Sequence, residues 1–404
     1  MKNKFYLLLS IFIHLNLLCY AENKGLFFTA RTDYGRVFQT NDFVRGINKK
    51  NQTVNEFAAF SLGFGKQSAG KRDWEQLYNF PSYGLALYAL LPEGGDELGR
   101  PLALYGFLNG AFRRWEKSSF VYKIEGGFAY GWNPYDFDKN PFNIVIGSKG
   151  TVYIGLRASY NYWLTKHLEL SAGAGFTHFS NGSYKKPNKG LNLVSPHIAL
   201  NYYLQSKPEF IRKSYIPPYP KNHEIFVTAG AGIKAFNQEI WYLRGTPYEY
   251  DNFQYKVFTA SLAYMRQYSY MSKTGGGISV IYDEWGGSRF DTSGVSVIYD
   301  ERGGIHLDMS GGKPFTVLGR QRDRFAVNLF AAHEFCIHRV SILAQVGYYL
   351  WQGMPEEKKL SLNEKVGIKY HFKSNLFAGI SLLAHNFSVA DYIEWNVGYR
   401  FKWQ

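Results

Sequence analysis

The chain has 404 residues, carries 46 Lys and Arg against 32 Asp and Glu for a net charge of +14, and is 18% aromatic. That supply of rings excludes a disordered chain, two cysteines exclude a disulfide scaffold, and a mean hydropathy of -0.28 without long internal apolar runs excludes a helical membrane protein. What remains is a soluble all-β protein or a transmembrane β-barrel, whose membrane face is hidden from average hydropathy because it alternates with the lumen face.

Residues 1–21 have the form of a secretory signal. Lys2 and Lys4 supply the positive start, the run from Phe5 to Leu18 is apolar apart from Ser10, His14 and Asn16, and Ala21 is a small residue at the cleavage point. Cleavage there removes two lysines, lowering the charge from +14 to +12, and removes Cys19, leaving Cys336 as the one remaining thiol. The exported chain is therefore expected to be held by strand pairing and packing, without an internal crosslink.

The body of the chain divides into short alternating segments separated by polar turns. Strands are predicted over residues 24–33, 57–67, 84–91, 101–115, 119–132, 150–164, 167–180 and 192–205, and after a break over 223–236, 253–268, 275–283, near 305–310, and over 325–337, 340–351, 360–372, 375–387 and 392–402. No stretch sustains a 3.6-residue period. In the segment 167–180 the even positions Leu168, Leu170, Ala172, Ala174 and Phe176 form an apolar face, and Glu169, Ser171, Gly173, Gly175 and Thr177 a small or polar one. A soluble sandwich would alternate too. The strands, however, run to the length a tilted membrane strand needs, and their second faces are crowded with Gly, Ser and Tyr, which suits a lumen. Closure would leave no backbone donor or acceptor facing hydrocarbon.

Connections alternate in length. Thr165-Lys166 and Lys373-Ser374 are tight and belong at the periplasmic end, while residues 181–191 form a long polar loop that belongs outside. Residues 206–222, with Pro208, Pro217, Pro218 and Pro220, are the boundary candidate. The domain reading is a signal over 1–21, a first barrel half over 22–205, a Pro-rich connection over 206–222 and a second half over 223–404. The favoured architecture is one transmembrane antiparallel β-barrel of about 14–16 strands; two tandem eight-stranded barrels are the alternative.

Chemistry concentrates in Thr177-His178-Phe179-Ser180-Asn181-Gly182-Ser183. His178 and Ser180 are two apart, so both project from one side of a strand, and by the count above this is the apolar side. Polar groups in hydrocarbon need partners. Ser180 as nucleophile with His178 as general base fits acyl transfer, with Asn181 and nearby backbone N–H groups, those of Gly182 and Ser183, steadying the oxyanion. The same pair also suits the lipid–water rim, bonded together or to water. His333-Glu334 misses the zinc spacing because His338 comes five residues after His333, so no metal is expected.

Residues 177–193, through His178, Ser180, Asn181 and the Lys186-Pro187-Asn188-Lys189-Gly190 loop, resemble the active-site strand and loop of the PagL family, the outer-membrane lipid A 3-O-deacylases. The second half resembles the C-terminal extension of larger PagL-like outer-membrane proteins of the acyloxyacyl hydrolase type. The resemblance implies an outer-membrane serine hydrolase of a Gram-negative bacterium that removes an ester-linked acyl chain from lipid A, with a Ser-His-Glu triad and no cofactor. The family's acidic member falls 14 residues past the histidine, where this chain has Asn192. An amide can orient His178 but cannot balance an imidazolium by charge, so a non-catalytic barrel, pore or structural, is the rival reading. Lys185, Lys186 and Lys189 are candidate contacts for the charges of lipopolysaccharide, and outer-membrane lipids are the expected surroundings. Nucleic acid is excluded as a partner by the export signal and by the lack of a basic helix or zinc-finger spacing.

Overall fold

The computed structural model describes residues 25–206, 208–236, 253–286, 289–291, 296–299, 305–308, 315–317, 321–353, 362–387 and 389–404. The expected signal over 1–21 lies outside the described residues.

Eight long strands come first: β1 (Leu26–Val37), β2 (Glu56–Gln67), β3 (Ser82–Pro92), β4 (Gly99–Arg114), β5 (Ser118–Trp132), β6 (Gly150–Trp163), β7 (Leu168–Ser180) and β8 (Leu191–Tyr203). Each pairs antiparallel with the next, and β8 returns to β1 in the register Phe27 to Tyr203 through Val37 to Leu193, closing the sheet. A second closed barrel runs β9 (Asn222–Phe236), β10 (Phe253–Gln267), β11 (Ser272–Asp283), β16 (Phe325–Ile337), β17 (Val340–Gln352), β18 (Leu362–His371), β19 (Leu376–His385) and β20 (Val389–Trp403), with β20 paired to β9. Between β11 and β16 the chain leaves the barrel and forms two small ribbons, β12 (Arg289–Asp291) with β15 (Phe315–Val317) and β13 (Ser296–Tyr299) with β14 (Ile305–Asp308).

The expectation of a single barrel of about 14–16 strands is therefore corrected: the fold is two separate closed eight-stranded barrels. The lumen contents give the physical reason. Arg31 and Asp33 on β1 meet Glu125 on β5 and Arg157 on β6 at 2.5 to 3.1 Å, all four side chains almost fully buried. Strands that far apart in the sheet can share one ion cluster only where the barrel is narrow enough for side chains to fill it. The fully buried rings of Tyr88, Tyr105, Tyr153 and Phe179 pack in the same interior. In the second barrel Lys273 bridges Glu224 and Glu334 at 3.0 and 3.2 Å, and Lys369 reaches Glu334 at 2.6 Å. The connection also turns away from β8. Phe210 stacks on Phe80 at 4.6 Å and the Ile211 N–H donates to Ala69 O, so this segment docks beneath the first barrel instead of extending its sheet.

The outer faces are apolar. Leu62, Leu85, Leu104, Phe128, Leu262, Val366 and Trp395 all stand exposed on strands, an arrangement that water would penalise and lipid does not. At the end where β8 and the connection lie, Tyr83, Phe112, Phe120, Tyr160, Tyr162 and Tyr202 are also exposed, as expected of an interfacial girdle. The opposite end carries the longer loops of the first barrel, residues 38–55, 133–149 and 181–190, and is the exterior one.

Both ends join the barrels. On the periplasmic side Tyr78 Oη donates to Cys336 O at 2.9 Å and Trp74 stacks on His338 at 5.9 Å; α1 (Asp73–Leu77) lies in the loop that supplies Trp74 and Tyr78. On the exterior side the Ala235 N–H donates to Ser183 O at 2.8 Å and Gln254 Nε2 to Tyr184 O at 3.2 Å.

Candidate active site

Strand β7 alternates as its sequence requires. Glu169, Ser171, Thr177 and Phe179 are buried toward the lumen, whereas Ala172, Ala174, Phe176, His178 and Ser180 lie on the outward side. Pairing arranges the outward residues in rows. His178 is flanked by Ile154 on β6 and Asn192 on β8, and one step toward the exterior Ser180 is flanked by Val152.

His178 Nδ1 and Asn192 Oδ1 lie 2.7 Å apart. An amide oxygen only accepts, so Nδ1 carries the proton and Nε2 keeps its lone pair, which is the tautomer a general base needs. The orientation of the Asn192 amide is fixed from its other end, where Nδ2 lies 3.5 Å from Thr40 Oγ1, and by its backbone, whose carbonyl accepts from the Phe38 N–H at 2.9 Å. Among the described residues Ser180 Oγ makes no hydrogen bond to His178. Such contacts are commonly loose without substrate and tighten in the complex.

Gly190 brings the two residues to a common edge. It sits at φ +73°, and a Cβ built on it would lie 3.1 Å from His178 Cε1 and 3.7 Å from Ser180 Cβ, so the hydrogen of glycine is what keeps that space open. Its N–H donates to Val145 O at 3.0 Å and its carbonyl accepts from Asn41 Nδ2 at 3.3 Å. Two other exterior loops thus hold it. Sequence reading missed Thr40 and Asn41, and it named Gly190 without its contact to Asn41. The glycine stood inside the Lys-Pro-Asn-Lys-Gly motif, but no local signal marks a contact made across 149 residues.

Asn181 differs from its expected role. Its N–H donates to Asn188 Oδ1 at 2.9 Å, and its Nδ2 donates to Ser148 Oγ at 3.0 Å and Lys185 O at 2.7 Å. All its protons are used in building the loop, and none remains for an oxyanion. Gly182 and Ser183 follow at φ +60° and +68°, two successive residues in the left-handed region two and three positions after Ser180. Lys185 and Lys186 are half-buried and Lys189 is exposed on the same loop.

Family models match both halves of the sequence. A model described as lipid A 3-O-deacylase (PagL) matches residues 58–201, and one described as acyloxyacyl hydrolase, C-terminal domain, matches residues 223–403. The chain belongs to the PagL family of outer-membrane β-barrels. Its family and its closed barrels make it an outer-membrane protein of a Gram-negative bacterium. The second matched region spans the second barrel, the first runs from β2 to β8 of the first barrel without β1, and the stretch between them contains the Pro-rich connection. No curated protein matches the chain. Solved structures with detectable likeness include the toluene transporter TodX of Pseudomonas putida, at 10% identity over 95% of this chain and 90% of that one with a TM-score of 0.17. The toluene transporter TbuX of Ralstonia pickettii follows at 9%, 95%, 90% and 0.19, and the siderophore receptor PirA of Pseudomonas aeruginosa at 10%, 94%, 81% and 0.20. Scores this low carry no argument about the present chain.

Among the described residues the second barrel does not repeat the site. His385, the counterpart by spacing of His178, is buried on the lumen side, 3.3 Å from Asp391. Glu394, on the next strand, binds Lys365 and Thr259.

Proposed function

We propose that this PagL-family protein is a serine ester hydrolase that removes an acyl chain from lipid A at the outer leaflet. In this reading Ser180 Oγ attacks the ester carbonyl carbon as His178 Nε2 accepts its proton. The Gly182 and Ser183 N–H groups hold the tetrahedral oxyanion. The carbonyl re-forms as the sugar alkoxide departs with the proton from His178, leaving an acyl-Ser180 ester. Water, deprotonated through His178, then attacks that ester; the fatty acid leaves and Ser180 recovers its proton. Asn192 positions His178 without balancing its charge, and Lys185, Lys186 and Lys189 face the phosphates of the substrate from the exterior loop.

The observation that carries the reading is the 2.7 Å contact between His178 Nδ1 and Asn192 Oδ1, on the membrane face of a strand that also presents Ser180. A soluble esterase would have no use for a base directed at hydrocarbon. A second reading, a structural barrel without catalysis, is favoured by the amide at position 192 and by the absence of a Ser180–His178 hydrogen bond among the described residues. A pore finds less support, since ion pairs and rings fill both interiors among the described residues.

Purified protein in detergent, assayed for fatty-acid release from lipid A beside a Ser180→Ala variant, separates the readings. Release that falls to background in the variant is expected. Release that continues unchanged removes Ser180 as the nucleophile, and no release from either protein favours the structural barrel.

A further inference from the structure

A cleft of about 660 Å³ opens between the outer walls of the two barrels at the exterior end. One wall is the outward face of β5 and β6, where Phe128 and Val152 lie in a single cross-strand row with Ser180. Val152 is the immediate neighbour of Ser180, so the cleft begins about one strand spacing, ~4.8 Å, from the nucleophile's strand. The other wall belongs to the second barrel: Ala231 on β9, Phe258 on β10, Ile380 on β19, and Ile393 and Trp395 on β20. Lys256 stands on the exterior side of this apolar wall, level with Ile233 and Ile393. One row deeper on the first barrel, a Cβ added to Gly126 would meet nothing within 4 Å.

We infer that this inter-barrel cleft holds the acyl chain whose ester reaches Ser180, and that the second barrel thereby sets acyl-chain selectivity; the inference rests on the hydrolase reading above. Three observations favour this occupant over indifferent lipid. The cleft is continuous with the Ser180 row. Its lining is apolar in depth and cationic at the exterior rim, which matches an anionic glycolipid carrying a fatty chain. Strand β20 also serves both the cleft and the reacting loop, because a Cβ on Gly182 would run into Ile393 Cγ1. The chain exchanges one hydrocarbon surround for another, so its gain in adhesion is small. What the cleft supplies is register: a chain seated between two rigid walls places its ester at one depth, and placement is where large rate factors arise.

The test uses the full-length protein in detergent with two serine-directed probes, ethyl and dodecyl fluorophosphonate. Each phosphonylates Ser180 Oγ with loss of fluoride and a proton. The second-order labelling rates are compared for wild type, Ala231→Phe, which fills the cleft, and Trp395→Ala, which widens it. Folding is checked by the heat-dependent shift of the band on a gel. Wild type is expected to react faster with the dodecyl probe. Ala231→Phe is expected to lower the dodecyl-to-ethyl ratio at least about tenfold. Trp395→Ala is expected to reduce the same preference by loosening the seat, and it decides the matter if Ala231→Phe does not fold. A ratio that stays constant in a folded variant still labelled at Ser180 overturns the cleft assignment and leaves the hydrolase reading standing. Absence of labelling by the ethyl probe in wild type overturns the hydrolase reading and the cleft assignment with it.

Discussion

Replacing Asn192 by Asp tests whether the site lacks only a charge. The substitution is nearly isosteric, so Oδ1 stays 2.7 Å from His178 Nδ1. What is lost is the contact from Nδ2 to Thr40 Oγ1, already long at 3.5 Å, and the Thr40 hydroxyl can instead donate to the new carboxylate. What is gained appears when His178 becomes an imidazolium in the transition state. Two unit charges 4 Å apart attract by about 4 kcal/mol at an effective dielectric of 20, and Asn192 is only half-buried, so solvent takes part of this. A residual of about 2–4 kcal/mol corresponds to an increase in kcat of roughly 30- to 1000-fold. Removing the acid from a serine protease triad costs about 10⁴, which bounds the gain from above. The assay is single-turnover release of fatty acid from lipid A, with Ser180→Ala introduced into the Asn192→Asp background as the control. Folded Asn192→Asp protein with unchanged kcat would refute the claim that the rest of the machinery is in place.

Two further substitutions probe the geometry and the scaffold. Gly190→Ala strains a residue at φ +73° and sets a methyl group 3.1 Å from His178 Cε1, so kcat for fatty-acid release should fall at least about tenfold while the protein stays folded by gel shift; an unchanged kcat would detach the loop from the site. Glu125→Gln leaves Arg31 and Arg157 in the first lumen without one of their two carboxylates, and equilibrium unfolding in urea should show a loss of about 3–5 kcal/mol. A loss under about 1 kcal/mol would mean that water reaches the cluster and screens it.

Much of this was legible in the sequence because strand periodicity is a local property. The alternation of Leu168, Leu170, Ala172, Ala174 and Phe176 assigns the faces of β7 without reference to any partner, and His178 and Ser180 inherit theirs from it. The adjacency of His178 and Asn192 follows from a spacing that the β7–β8 pairing brings side by side. Barrel number was not legible. Whether β8 pairs with β1 or with β9 is decided by which partners share a lumen, and the ion pairs of Arg31 with Glu125 and of Arg157 with Asp33 span 94 and 124 residues. Asn181 was misread for a related reason. Its chemistry suits an oxyanion donor, but the loop needs the same protons for Asn188, Ser148 and Lys185, and demands of that kind appear only once the loop is closed.

Loop 181–190 has three residues in the left-handed region, Gly182, Ser183 and Gly190, and one of them is not glycine. Such conformations persist only where surrounding contacts over-determine them. Here the contacts come from both barrels. Gly190 is held by Asn41 and Val145 of the first, whereas Ser183 accepts from Ala235, Tyr184 accepts from Gln254, and Gly182 lies against Ile393, all of the second. The turn at Gly182 and Ser183 is therefore contacted from outside the barrel that carries Ser180 and His178. The exterior rim of the second barrel thus takes part, through Ala235, Gln254 and Ile393, in holding the loop that follows Ser180.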